Sequence, residues 1–325
     1  MATSPVNWGI VSTANINRKV IPGAKDSVKV ELVAVASRTQ DRADAYAAEW
    51  EIPCAYGSYE ALLADPEIEA VYVSLPNTLH VEWSIKALEA GKHVLCEKPL
   101  SRNPDEVEAA FDAAERTGRL LSEAFMYRHN PQTTRAKQLV EEGAIGELRV
   151  VRSTFSYGLY DGENIRLRPD LEGGALMDVG CYNVSWSRLI AGEPERVWGE
   201  AWYGPSGTDW VFTGTMRFPG DAIACFDCGT ALTERDEVEI VGSEGSLFLD
   251  DPYHCVVPVI EVRARGDVER IELDYESSYR LELENMSDAI RGEGRLWLGR
   301  DDALGQARAL EALHRSATTG TPVSV

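Results

Sequence analysis

Strand-like and helix-like runs alternate over the first 126 residues, and this alternation constrains the fold more than any other feature of the chain. Residues 6–11 are an apolar run. Beyond Ser12, Thr13, Ala14 and Asn15, the side chains of Ile16, Val20 and Ile21 recur at helical spacing. A second buried strand is predicted over 30–37, followed by a helix that opens at Asp41, whose carboxylate suits an N-cap, and runs through Ala47. The pattern continues with a helix over 58–64, a strand over 70–75, a helix over 78–90 stopped by Gly91 and a strand over 93–96. A helix over 104–117 stopped by Gly118 and a strand over 120–125 complete it. Such alternation produces a parallel sheet covered on both faces and wound right-handedly. The expectation is an α/β fold in which residues 1–126 form a doubly wound, Rossmann-type nucleotide-binding domain.

From residue 127 the pattern changes. Residues 147–157 and most of 195–272 read as strands separated by turns, namely 196–203, 210–218, 222–228, 237–241 and 256–263. Hairpin-like breaks fall at Pro205-Ser206-Gly207 and Pro219-Gly220-Asp221. Residues 173–191, 279–291 and 301–319 read as helices. Residues 127–325 are therefore expected to form a second, α+β domain on a large, mostly antiparallel open sheet. A chain of 325 residues suits two domains of ordinary size.

Lys and Arg total 32 against 53 Asp and Glu, a formal charge of −21, with no local basic run to offset it. So acidic a surface repels phosphate backbones and anionic lipid, which excludes nucleic acid and membrane as expected partners. No apolar stretch approaches the roughly 20 residues of a membrane span. The start, Met1-Ala2-Thr3-Ser4-Pro5, lacks a charged region followed by an apolar one, so the expected location is cytoplasmic. Six cysteines without regular spacing imply reduced thiols. The Cys225-Phe226-Asp227-Cys228 motif lies in a strand-like run where residues three apart face opposite sides of a sheet, so no metal site is expected.

Ligands of a doubly wound sheet bind beyond the carboxyl ends of its strands. In the first turn the positions of a G-x-G-x-x-G fingerprint are held by Ser12, Thr13, Ala14, Asn15, Ile16 and Asn17. Small side chains at Ser12 and Ala14 permit close backbone approach, but an ordinary β–α turn looks the same, and the turn alone leaves both open. The second strand ends in Ser37-Arg38, with Arg42 a turn later, where a carboxylate would favour NAD. Two guanidinium forks suit a 2′-phosphate, which favours NADP with NAD as the alternative, unless both are merely solvated surface residues. Leu75-Pro76-Asn77, His80 and the Glu97-Lys98-Pro99 stretch follow later strands at the same edge. Pro99 fixes the chain just past Lys98 and is expected to aim the ammonium toward the ligand crevice.

The string Gly91-Lys92-His93-Val94-Leu95-Cys96-Glu97-Lys98-Pro99-Leu100 closely resembles the signature of the glucose–fructose oxidoreductase, inositol dehydrogenase and rhizopine catabolism (Gfo/Idh/MocA) family. Residues 122–128 (SEAFMYR), 173–182 (GGALMDVGCY) and 239–247 (EIVGSEGSL) are similar to further family segments, so the resemblance covers nearly the whole chain. It implies a C-terminal domain that binds substrate and whose open sheet supports homodimers or homotetramers. It also implies hydride transfer between a nicotinamide and a sugar carbon, with Lys98, Asp178 and Tyr182 as the catalytic group. On a helix, residues four apart share a face, so Asp178 and Tyr182 can point into one crevice. Without the resemblance, a capping carboxylate and a half-buried phenol would describe this pair equally well. Tyr at position 182 and the Met126–Pro131 stretch resemble the branch that holds glucose–fructose oxidoreductase, NADP-dependent D-xylose dehydrogenase and dimeric dihydrodiol dehydrogenase.

What the resemblance implies is a sugar or polyol oxidoreductase in which Tyr182 takes the anomeric hydroxyl proton of an aldopyranose while the hydrogen on that carbon leaves as hydride. A phenol of pKa about 10 needs a nearby cation to act near neutrality, the part expected of Lys98, while Asp178 orients these groups. Arg128, Tyr157, Tyr160 and Arg166 are expected nearest the sugar, and Tyr279 and Arg128 near the cofactor. A keto-sugar reductase, a trans-dihydrodiol dehydrogenase and a non-catalytic NADP-sensing regulator are the alternatives.

Overall fold

The computed structural model describes residues 4–159 and 164–325. The chain forms two compact units, one of residues 1–126 with 277–304 and one of residues 127–276 with 305–325.

The first unit runs β1 (Val6–Val11), α1 (Asn17–Lys25), β2 (Val30–Ala36), α2 (Gln40–Trp50), β3 (Cys54–Tyr56), α3 (Tyr59–Leu63) and β4 (Ala70–Val73). It continues through α4 (His80–Glu89), β5 (His93–Glu97), α5 (Pro104–Thr117) and β6 (Leu121–Ala124). Its six strands pair in the order β3-β2-β1-β4-β5-β6, all parallel. The expected doubly wound sheet is thus present, with its reversal between β1 and β4. Strand β4 is buried throughout and β5 at every residue but Glu97, because both faces are covered. Several expected bounds differ: β4 ends at Val73 and not at 75, and α4 begins at His80 after a 3-10 turn over Asn77–Leu79. Helix α2 starts one residue before Asp41, with Thr39 extended at the N-cap, and Asp41 falls in the first turn, where it favours the helix dipole. The helix also continues past Ala47 to Trp50, and the three-residue β3 follows it.

The second unit opens with α6 (Pro131–Glu141) and β7 (Leu148–Gly158). After a π-helical turn over Leu176–Gly180 come α7 (Cys181–Ala191), β8 (Arg196–Tyr203), β9 (Asp209–Arg217), β10 (Ile223–Gly229), β11 (Ala231–Gly242), β12 (Gly245–Asp250), β13 (Val259–Ala264) and β14 (Asp267–Glu272). Then α8 (Ser278–Arg291) returns to the first unit, α9 (Arg300–Thr319) straddles residues 304 and 305, and β15 (Val323–Ser324) closes the chain. The nine strands pair as β14-β13-β12-β11-β7-β10-β9-β8-β15, antiparallel except for β7 with β10. Alternate residues such as Val238, Ile240, Leu247 and Leu249 are buried under the helices, while the other face carries the exposed Trp198, Trp202 and Ile223. Cys225 and Cys228 fall on opposite faces, and none of the six cysteines is in a disulfide. No helix among the described residues is long and apolar enough to cross a membrane.

Helix α8 is held on the first unit at several points. The Trp8 indole donates to Ser287 Oγ at 3.2 Å, and Lys29 pairs with Asp288 at 2.8 Å. The Arg291 guanidinium grips both Glu69 oxygens at 2.6 and 2.7 Å. A Cβ on Gly23 of α1 would lie 2.8 Å from the Arg280 backbone nitrogen, so α1 and α8 meet where only a glycine lets the backbones approach.

Candidate active site

In the first unit the carboxyl ends of β1 and β4 flank the reversal in strand order, the position where such sheets take ligands. Ser12 is joined to Ser74 there, its hydroxyl 2.9 Å from both the Ser74 carbonyl and the Ser74 hydroxyl, and it accepts the Ala14 N–H at 3.2 Å. Ser12 has φ 124°, a conformation that favours glycine, and these contacts hold it there. Asn17, standing where a third glycine would be, is buried and donates to the Ser12 carbonyl at 3.0 Å. The turn therefore keeps a tight path without its glycines, and Thr13, Ala14, Asn15 and Ile16 lead from it into α1.

Ser37 is buried at the end of β2, its N–H on the Tyr56 carbonyl at 3.0 Å. Arg38 and Arg42 are exposed, and their charges meet at Tyr59, where they partly offset the upward push of burial on its phenol. Neither has a hydrogen-bond or ion-pair partner among the described residues. Two unpaired guanidiniums one turn apart at this strand end make a site for an anion. Leu75 is buried, and Pro76 and Asn77 are half-buried beside it. His80, expected at the cofactor, has both ring nitrogens on backbone carbonyls, Nδ1 with Pro99 at 2.8 Å and Nε2 with Leu75 at 2.7 Å, and is 1% exposed. It is a tie between two loops. Burial and the nearby Lys98 charge lower its pKa against the pull of those carbonyls.

Glu97 ends β5 and accepts the Tyr72 hydroxyl from β4. The Lys98–Pro99 peptide is cis, and the buried Glu123 anchors the next residue by accepting the Leu100 N–H at 2.8 Å. Tyr279, on the first turn of α8, packs into the same core as Tyr72 and Trp8.

In the second unit Asp178 lies on the π-helical turn and Tyr182 on α7. Asp178 is gripped from both sides. The Tyr157 hydroxyl at the end of β7 donates to Oδ2, and Arg166 Nε donates to Oδ1 at 3.1 Å. Burial and then the Asp178 charge push the Tyr157 phenol far above its ordinary value, so this hydroxyl is a proton donor and not a base. The Tyr182 ring sits in an aromatic box, 5.3 Å from Phe155, 5.4 Å from Tyr253 and 5.8 Å from Tyr127 between ring centres. Arg128 and Tyr127 both donate to Ser185 on α7, at 3.2 and 2.7 Å. The turn before Asp178 is fixed by Gly173 and Gly174. A Cβ on Gly173 would overlap the Arg166 carbonyl at 2.4 Å, and Gly174 lies against Asp209, which accepts the Leu176 N–H at 2.7 Å.

Of the residues expected near the sugar, Tyr157, Arg166 and Asp178 form one hydrogen-bonded group, while Arg128 donates to Ser185 on α7, the helix that carries Tyr182. Tyr160 lies outside the described residues. The aromatic box and Tyr72 were not anticipated. Tyr72 carried a signal, a phenol near the carboxyl end of a buried strand, whereas nothing local marks Phe155 or Tyr253.

Residues 6–125 match the family described as "Oxidoreductase family, NAD-binding Rossmann fold", and residues 133–248 match its "GFO/IDH/MocA C-terminal domain". The chain belongs to the Gfo/Idh/MocA family of oxidoreductases. It is 38% identical over 323 residues to a D-xylose 1-dehydrogenase (NADP(+)) of Haloferax volcanii, covering 98% of this chain and 99% of that one. The structure superposes with a TM-score of 0.90 on a 3-ketoreductase from Actinomadura kijaniata in complex with NADP and TDP-benzene, at 29% identity over 96% of this chain and 98% of the other. An aldose–aldose oxidoreductase from Caulobacter crescentus, complexed with glycerol, gives a TM-score of 0.92 at 26% identity, covering 99% and 100%.

Proposed function

We propose that this oxidoreductase is an NADP-dependent sugar dehydrogenase that oxidises the anomeric carbon of an aldopyranose such as D-xylose or D-glucose, with Lys98, Asp178 and Tyr182 as its catalytic group. The observation that carries the proposal is the Asp178 carboxylate held between Tyr157 and Arg166 on the segment that leads into Tyr182. The kinship with a D-xylose dehydrogenase supports the substrate class, and the unpaired Arg38 and Arg42 support NADP over NAD. Bound NADP supplies the hydride acceptor.

The chain's own residues do the rest. Tyr182 accepts the proton of the anomeric hydroxyl, helped by the Lys98 ammonium, which favours the phenolate and binds the developing oxyanion. Asp178 receives the sugar's hydroxyl donors, and Tyr157 and Arg166 keep its carboxylate ionised and oriented. The aromatic box fixes the Tyr182 ring and keeps water from it. The likeness to a 3-ketoreductase favours a second reading, reduction of a keto-sugar, in which Tyr182 returns its proton to the nascent alkoxide. Assembly into dimers or tetramers through the exposed face of the nine-stranded sheet belongs to the same proposal.

The experiment is to follow absorbance at the reduced-nicotinamide band while NADP or NAD is offered with D-xylose, D-glucose, other aldoses and a trans-dihydrodiol. Turnover with an aldose and NADP is expected, falling at least about a hundredfold in Lys98→Met with NADP affinity kept. Near-normal turnover in Lys98→Met refutes the assignment.

A further inference from the structure

Glu282, on α8, takes no part in the chemistry above. It is 1% exposed, and neither carboxyl oxygen has a hydrogen-bond partner among the described residues. An isolated carboxylate in such surroundings is so unfavourable that the group takes up a proton instead. The acid is also not alone. Its neighbours Leu283 and Met286 pack in one core with Tyr72 and Leu95, and Glu97 at the end of β5 is close enough to oppose a second negative charge. The groups facing Glu282 from the packed elements are Glu97 of β5, Tyr72 of β4 and, one turn earlier on its own helix, Tyr279. Tyr72, buried and bound to Glu97, has its phenol pushed far up and stays neutral. Two acids therefore lie near one another where β5 leads into Lys98, and of the two Glu97 accepts the Tyr72 hydroxyl.

Their place in the sheet gives the pair a meaning. In a sheet of order β3-β2-β1-β4-β5-β6, a bound dinucleotide would lie across the reversal, its adenosine half toward the β2 end and its nicotinamide half toward the ends of β4 and β5. Tyr72, Glu97, Lys98, Tyr279 and Glu282 all belong to the second half. An oxidised nicotinamide ring is a cation and a reduced one is neutral, so a ring bound in that half would change the charge near these acids by one in each turnover.

We propose that Glu282 is a redox-linked acid of the nicotinamide half-site, giving up its proton when the oxidised ring is bound and regaining one when the ring has been reduced. The bond broken and re-formed is the carboxyl O–H, and the proton is exchanged with bulk solvent. The hydride carries both electrons to the ring, so Glu282 changes the local charge and no oxidation state. Glu282 is a positioning residue for charge, since it donates nothing to the substrate. The inference rests on the reading that the first unit binds NADP.

The test is equilibrium binding to the full chain. Calorimetric titrations with NADP+ and, separately, NADPH, in buffers of different ionisation enthalpy between about pH 5 and 9, count the protons released. NADP+ is expected to release close to one proton, with affinity tightening up to about tenfold per pH unit across the window in which Glu282 changes state. NADPH is expected to release none. Glu282→Gln, which keeps the shape of the neutral acid, should bind both forms with no proton released on NADP+ binding. In Glu97→Gln the opposing charge is gone, and the window should move to lower pH. Equal proton release in Glu282→Gln, no release in the wild type, or an unmoved window in Glu97→Gln overturns the inference. Binding of both forms without proton release removes this inference alone, whereas failure of both forms to bind removes the NADP reading with it.

Discussion

Replacing Tyr157 with Phe removes one hydroxyl and leaves its ring at the end of β7. Asp178 then loses a hydrogen bond to its charged form, which is worth about 1.5–3 kcal/mol. At about 1.36 kcal/mol per pKa unit, the Asp178 pKa should rise by about one to two units. The Arg166 contact at 3.1 Å remains, but Arg166 is 41% exposed and its screened charge supplies at most about 1 kcal/mol. The sign is fixed, because losing a donor to a carboxylate always favours its protonated form. The assay is kcat/KM against pH with an aldose and NADP, whose acid limb reports the free-enzyme carboxylate. In Tyr157→Phe that limb should move up by about one to two units, and the plateau should approach the wild-type value. Tyr157 is itself a donor across the whole range, so no base is lost. A constant loss at every pH with the limb unmoved refutes the reasoning and makes Tyr157 a substrate contact.

Removing either guanidinium, Arg38→Ala or Arg42→Ala, should weaken NADP binding about ten- to a hundredfold and leave NAD binding unchanged, read by fluorescence titration; equal losses for both cofactors refute the 2′-phosphate assignment. Glu69→Gln should cost about 1 kcal/mol at pH 7, since its partner Arg291 is 19% exposed and Glu69 36%. The hydrogen bond from Arg291 holds the Glu69 carboxyl below its ordinary value, so this stability is present above the unfolded pKa of about 4.3 and is lost as pH falls through the lower folded one. The melting temperatures of wild type and Glu69→Gln should therefore differ at pH 7 and converge in acid. Gly180→Ala places a Cβ 2.8 Å from Cys228 Sγ and should destabilise the second unit by about 1–3 kcal/mol in chemical denaturation, whereas a wild-type midpoint would show that α7 and β10 can give way.

Local pattern carried most of the elements. The helix over Pro104–Thr117 and the strand over Arg196–Tyr203 begin and end where Pro, Gly and the apolar run place them. Long-range pairing was not legible, because β7 takes β10 in parallel and β11 antiparallel through contacts that no residue announces locally. The π-helical turn under Asp178 was hidden for the same reason, since its first N–H is held by the Asp209 carboxylate brought from β9. At the site, the Glu97-Lys98 and Asp178–Tyr182 motifs stood out as strings, and Tyr157 and Arg166 as candidates. That both grip a single carboxylate is a fact of three dimensions. His80 shows the opposite limit, since a histidine near a ligand edge looks the same whether it meets a cofactor or ties two loops.

Helix α8 belongs to the first unit although the second unit's main segment lies between them in the chain. The Trp8 indole waits for a serine 279 residues further on, and the Gly23 face of α1 stays bare until Arg280 has been made. A ribosome delivering this chain from its N-terminus therefore exposes an unfinished nucleotide-binding half while nearly all of the large sheet is synthesised. Closure of that half comes late and depends on contacts of high sequence separation, the slowest kind to form. The chain also passes between the units three times, so one proteolytic cut in a link leaves the halves still joined by two covalent threads.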